Sequence, residues 1–166
     1  MGQDLVDRWM GAWDEARPEV DTAALHVTGR LSRIGAHLAN RQEAVFDQFG
    51  LNRGEVGALS ALRVAGPPHR LSPGRLGRGL MLSSAGITSR IDRLERRGLV
   101  RRLPDPDDRR GVIVELTDQG VEVVDAAVAA VAKSDRELLE RLDPDEVTEL
   151  AGILRKLLAG FELPGS

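Results

Sequence analysis

The chain contains no cysteine and no tyrosine in 166 residues, and only two tryptophans, three phenylalanines and three histidines. Without thiols it forms no disulfide, offers no cysteine nucleophile or thiolate metal ligand, and cannot sense oxidants through sulfur. His26, His37 and His69 show no ligand spacing with acids, and none is paired with a hydroxyl nucleophile, so catalysis and metal binding find no foothold. No enzyme activity, cofactor or metal is expected. A bilayer-spanning run of about 18 apolar residues is missing too. The first sixteen residues carry four acids, where a secretory signal would begin with positive charge, so a cytoplasmic location is expected.

Lysine is nearly absent, occurring only at Lys133 and Lys156, so the positive charge is almost all guanidinium. The net charge of −3 hides an uneven distribution. Between Arg70 and Arg110 eleven arginines face five acids, which gives that segment +6 and leaves −9 for the remainder. Guanidinium groups match phosphates and guanine edges, and the clustering points to a polyanionic partner rather than to an acidic surface overall. With 42% hydrophobic residues, a chain of this length suits one compact domain.

Along the chain the pattern is mostly helical. Leu5, Trp9, Ala12, Trp13 and Ala16 recur at helical spacing before Arg17-Pro18, giving a short amphipathic helix over about 3–17. Asp21 can cap a second helix over 22–49, with Leu25, Leu31, Ile34, Leu38, Val45 and Phe46 as its apolar positions and Gly50 as its stop. Asn52 caps a third through Val56, Leu59, Leu62 and Val64, ended by Gly66-Pro67-Pro68. Ser72-Pro73 starts a short fourth helix, and Ser83 or Ser84 starts a fifth that Gly98 stops. Two β-type runs follow, Leu99 to Leu103 and Val112 to Leu116, joined by a polar turn rich in proline, aspartate and arginine. Thr117 caps a long helix, and Asp143-Pro144 opens a last one whose Val147, Leu150, Ala151, Leu154, Leu157, Leu158 and Phe161 follow the i, i+3, i+4, i+7 rule.

The expected fold is therefore mainly α with a small β-wing: a single domain over 1–166, with N-terminal helices in 1–49, a DNA-binding lobe in 51–116 and C-terminal helices in 117–163. Two short helices joined by a tight turn, then a hairpin with a basic tip, are the parts of a winged helix-turn-helix. On the fifth helix Ile87, Ile91 and Leu94 form the core stripe. That leaves Ser84, Ala85, Thr88, Ser89, Asp92, Arg93 and Arg96 on the polar faces, where small hydroxylated residues permit close approach to bases and phosphates. Ser72, Arg75 and Ser83 precede that surface, and Arg109 and Arg110 lie at the tip of the hairpin. The last helix needs a partner for its apolar stripe, which supports a dimer.

The run from Leu82 to Glu95, then Gly98-Leu99-Val100, resembles the MarR family of transcription regulators. So do Asp105-Pro106-Asp107-Asp108-Arg109-Arg110, Val114-Glu115-Leu116-Thr117 and Gly120. The resemblance implies that Arg109 enters the minor groove, that Asp107 steadies the wing turn, and that Arg110 adds a phosphate contact. It implies a homodimer built from the terminal helices, a pseudo-palindromic operator in double-stranded DNA, and a repressor that responds to a ligand.

One residue of the fifth helix bears on the effector. Arg90 falls inside the apolar stripe, three residues after Ile87 and four before Leu94, so it needs a counter-charge such as Glu55. The chain also resembles a urate-responsive branch of the family, through Trp13 in an added N-terminal helix, Arg90 in the recognition helix and Arg102 in the first wing strand. Gly57 stands where that branch has an acid, and Glu55 lies two residues away. The implied effector is a small aromatic or purine-like anion, with Trp13 as a stacking wall. The alternative is a winged helix used for protein interaction, with no small-molecule effector.

Overall fold

The computed structural model describes residues 2–79, 84–106, 108 and 111–162. Helix α1 (Leu5–Ala16) begins at a reciprocal cap. The Asp4 carboxylate accepts from the backbone N–H of Val6 and Asp7, and the Asp7 carboxylate accepts from that of Asp4. Arg30 of α2 (Ala23–Asp47) grips both acids, at 2.9 and 2.6 Å, so the cap also docks the helix on its neighbour. The buried face of α1 is Val6 and Met10, against Gly29 of α2, where a Cβ would press on Val6 at 3.3 Å. The stripe through Trp9, Ala12, Trp13 and Ala16 faces outward, and the two tryptophans are 54% and 53% exposed. The start of α2 also differs in detail from expectation. Thr22 occupies the cap position without a side-chain bond of that kind, while the Asp21 carboxylate accepts from the N–H of Ala23 at 2.9 Å.

Gly50, at φ +63°, takes the left-handed conformation that ends α2 and turns the chain into α3 (Arg53–Val64). Asn52 and Glu55 form a second reciprocal cap there. A two-residue strand, β1 (Arg70–Leu71), then precedes α4 (Pro73–Gly79) and α5 (Ser84–Arg96). Strands β2 (Val100–Pro104) and β3 (Val112–Leu116) form the hairpin, and α6 (Asp118–Leu139) and α7 (Pro144–Glu162) complete the chain. The sheet is antiparallel in the order β1-β3-β2, with Arg70 and Arg101 both opposite Glu115 and Arg102 opposite Val114. β1 was not expected, because two residues between prolines are too few to show a period of two.

One continuous core joins α3, α4, α5, the sheet and α6: Leu59, Leu62, Leu76, Ile87, Ile91, Leu94, Leu99, Val114 and Val124 are all buried in it. The apolar residues of the terminal helices behave differently. Leu25, Leu31 and Ile34 of α2 and Leu150, Ile153, Leu154, Leu157, Leu158 and Phe161 of α7 are exposed, Phe161 to 81%. Among the described residues α7 has no extensive packing on another element of its own chain, and only its start, at Pro144 and Val147, lies beside α6. Among the described residues no helix is long and apolar enough to cross a membrane.

The joint between wing and α6 has no slack. Thr117 donates its hydroxyl to the Gly98 carbonyl at 2.7 Å, accepts from the N–H of Gly120 at 3.0 Å, and bonds through its own N–H to Leu99 O at 3.1 Å. Gly120 thereby lies so close to β2 that a Cβ would collide with the Leu99 carbonyl and meet Leu116 Cδ1 at 3.0 Å. Gly120→Ala is expected to cost on the order of 1–3 kcal/mol, as overpacking against rigid backbone does. Chemical denaturation measures this, and an unchanged midpoint would mean that α6 can lift off the strand freely.

Candidate nucleic-acid interface

Ile87, Ile91 and Leu94 lock one side of α5 into the core, as their spacing predicts. The other side carries Thr88, Ser89, Asp92, Arg93 and Arg96, all exposed. Ser84 and Ala85 open the helix. Ser72 caps α4, its hydroxyl accepting from the N–H of Arg75 at 3.4 Å, and the Arg75 side chain is exposed one turn in. The expected contacts Ser83, Arg109 and Arg110 and the expected wing support Asp107 lie outside the described residues. At the base of the wing the N–H of Asp105 donates to Gly111 O at 3.1 Å and that of Gly111 to Asp108 O at 2.8 Å, closing the turn beneath its tip.

The guanidinium groups of this surface are held apart by carboxylates. Glu55, 7% exposed at its side chain, forms an ion pair with Arg93 Nε at 3.1 Å through one oxygen and accepts from the N–H of Asn52 at 3.0 Å through the other. One carboxylate thus caps α3 and ties it to α5. Arg97 closes the C-terminal end of α2 by donating to the carbonyls of Phe49 and Gly50. Arg102 bridges from β2 to Asp92 and Glu95 of α5, and Glu95 also accepts from the N–H of Arg102 at 3.0 Å. Burial disfavours the charged form of Arg102, but the two acids outweigh it and raise its pKa further. On the sheet, Glu115 is 9% exposed and accepts from Arg70 of β1 and Arg101 of β2. Here burial raises the carboxyl pKa, and the two guanidinium groups more than offset this and hold it below the ordinary glutamate value.

Arg90 departs from the expected pairing. Glu55 serves Arg93, because the cap draws the Glu55 carboxylate back toward Asn52, whereas Arg90 lies one turn earlier over Gly54. A Cβ on Gly54 would overlap the Arg90 guanidinium, so glycine at this position makes the berth. Arg90 Nε is buried there and donates to no described group. The three residues expected to hold an effector are not gathered into one cavity. Trp13 lines a shallow depression with Trp9, Ala12 and Ala16, all of α1, and Arg102 is occupied by Asp92 and Glu95. Glu115 and the Glu55–Arg93 pair went unnoticed in the sequence. The alternation of β3 puts Glu115 on the face opposite Val114, and cross-strand arginines are the signal that could have found it.

A recognition-type helix presented by a compact lobe beside a three-stranded sheet defines a winged helix-turn-helix. A family model described as MarR family matches residues 49–111. The chain is 33% identical to the HTH-type transcriptional regulator PecS of Dickeya dadantii (strain 3937) over 93% of its own length and 90% of that protein. It is 30% identical to the HTH-type transcriptional repressor NicR of Pseudomonas putida, covering 88% of this chain and 93% of that one. Among solved structures it resembles Sco3205, a MarR family transcriptional regulator from Streptomyces coelicolor in complex with DNA, with a TM-score of 0.74 at 25% identity over 88% of this chain and 94% of that one. The chain belongs to the MarR family of winged-helix transcription regulators.

The Glu115 pair of ion bridges makes a pH dependence. Since the folded carboxyl titrates below its ordinary value of 4.5, the stability it confers is complete above that value and drains away as pH falls through the depressed one. Between about pH 5 and about pH 3 the thermal midpoint is expected to fall more steeply for the unaltered chain than for Glu115→Gln. Parallel curves would show that the sheet does not depend on this carboxylate.

Proposed function

We propose that this protein is a repressor that binds a pseudo-palindromic operator as a homodimer and is released by a small aromatic anion. The observation that carries the DNA reading is α5 itself, with one face fixed in the core and hydroxyl and guanidinium groups on the other. In the proposed complex Thr88, Ser89, Arg93 and Arg96 face the major groove, Ser72 and Arg75 approach the phosphates, and the wing tip with Arg109 and Arg110 reaches the adjacent minor groove. Two-fold symmetry then sets half-sites about one helical turn apart. The name of the relative NicR supports the repressor role.

The dimer rests on α7, whose apolar stripe is left exposed among the described residues, and on the exposed apolar face of α2. Leu154→Asp is expected to convert the dimer to a monomer in sedimentation and to weaken operator binding severely. A variant that sediments as an unchanged dimer would place the interface elsewhere.

The effector reading rests on Arg90, a half-buried cation whose buried Nε has no partner among the described residues, berthed over the N-terminal turn of α3. An anion there satisfies it. The same anion reaching Arg102 would free Asp92 and Glu95, both on α5, and so couple ligand binding to the DNA-reading helix. Such a ligand shifts the equilibrium only as far as it prefers the displaced helix. Urate and phenolate or purine anions titrated against the protein–operator complex are expected to release DNA. Arg90→Ala should abolish release while operator affinity stays within a few-fold. Release that survives this change, or no release at millimolar ligand, would leave the winged helix without this effector.

A further inference from the structure

A second basic site lies at the opposite end of α5 from its base-reading turn. Gly50 at the end of α2, Glu55 in the first turn of α3, and Arg93, Arg96 and Arg97 at the end of α5 line a cavity of about 290 Å³. Three guanidinium groups share it with one carboxylate. The N–H groups of Arg97 hold the carbonyls of Phe49 and Gly50 at the end of α2, where Gly50 takes the left-handed conformation at φ +63°. The nearby acids Asp92 and Glu95 are turned to Arg102. Arg96 bonds only to the backbone carbonyl of Asp92, one helical turn back, and pairs with no carboxylate among the described residues. Glu55 is therefore the one internal anion in the cavity. It is nine-tenths buried, already used as the α3 cap, and it holds only Arg93.

We propose that this cavity binds a small free oxyanion of phosphate size and charge, which takes Arg96 and competes with Glu55 for Arg93. Guanidinium forks suit such a ligand, because they present paired donors to a tetrahedral or planar oxyanion. Its position away from the N-terminal turn of α5 favours a free anion over a backbone phosphate of the operator. Because Arg93 and Arg96 also belong to the outward face of α5, whatever holds them sets where that face presents its charge. Oxyanion and operator therefore oppose one another, each lowering affinity for the other by the same factor. The coupling rests on the DNA-binding reading above, whereas binding of the oxyanion does not.

The test uses the full chain without DNA, titrated calorimetrically with inorganic phosphate against chloride at matched ionic strength. One saturable phosphate per chain is expected, weakened roughly tenfold in Arg96→Ala, as loss of a charge-assisted hydrogen bond entails. Glu55→Gln keeps an oxygen for the cap and removes the competing charge, so it should bind phosphate more tightly, with thermal unfolding confirming that the fold is intact. Absence of saturable binding, or binding indifferent to Arg96→Ala, overturns the site. So does a free protein that binds no phosphate while Arg96→Ala lowers the salt slope of operator affinity by about one, which would assign the cavity to the DNA backbone.

Discussion

The constraint on which this lobe depends is electrostatic. A segment that carries +6 has to fold around a single apolar core without bringing its guanidinium groups together. Two nearly buried carboxylates make that feasible, each reaching across elements: Glu55 from the cap of α3 to α5, and Glu115 from the central strand to both of its neighbours. Placing a charge in a dry site is unfavourable unless its partners are close, and each of these two has two donors. Apart from Arg93, Arg96 and Arg97 around Glu55, the paired arginines are consequently separate, oriented groups rather than a mutually repelling patch.

Asp92, Glu95 and Arg102 extend the same logic to motion. They bind α5 to β2 on the solvent side, while Ile87, Ile91 and Leu94 bind it to the core on the other. Apolar packing resists separation but tolerates small sliding, whereas the ion pairs fix direction. A ligand that competes for one guanidinium in this network acts on the orientation of the helix without disturbing its burial.

Much of the architecture was legible in the sequence because it is local. Asn52, Ser72, Thr117 and Asp143 announce helix starts through short-range hydrogen bonds, Gly50 and Gly98 announce ends through positive φ, and Ile87, Ile91 and Leu94 share a face by simple periodicity. What was hidden depends on meetings between distant segments. β1 exists only because β3 offers it an edge, Glu115 is meaningful only once Arg70 lies across from it, and Arg93 rather than Arg90 takes Glu55 because of how α5 is turned against α3. Helix α1 misled for another reason: it has apolar residues on two faces, and periodicity alone does not say that Val6 and Met10 are the pair its own chain buries. The DNA-contact set is legible as a surface on α5, whereas the effector set is not, since Trp13, Arg90 and Arg102 are separated in the folded chain or already engaged.

The slackless joint at Thr117 has a geometric consequence. With α6 starting against the Leu99 carbonyl, the sheet and the long helix behave as one lever, hinged neither by glycine freedom nor by a loop. In the proposed dimer the distance between the two recognition helices is then a trigonometric property of how the two levers cross. A change of angle at the crossing is magnified along the 22 residues of α6 into a displacement at the DNA. Operator spacing in such a molecule is tuned far from the bases, by the side chains where the levers meet.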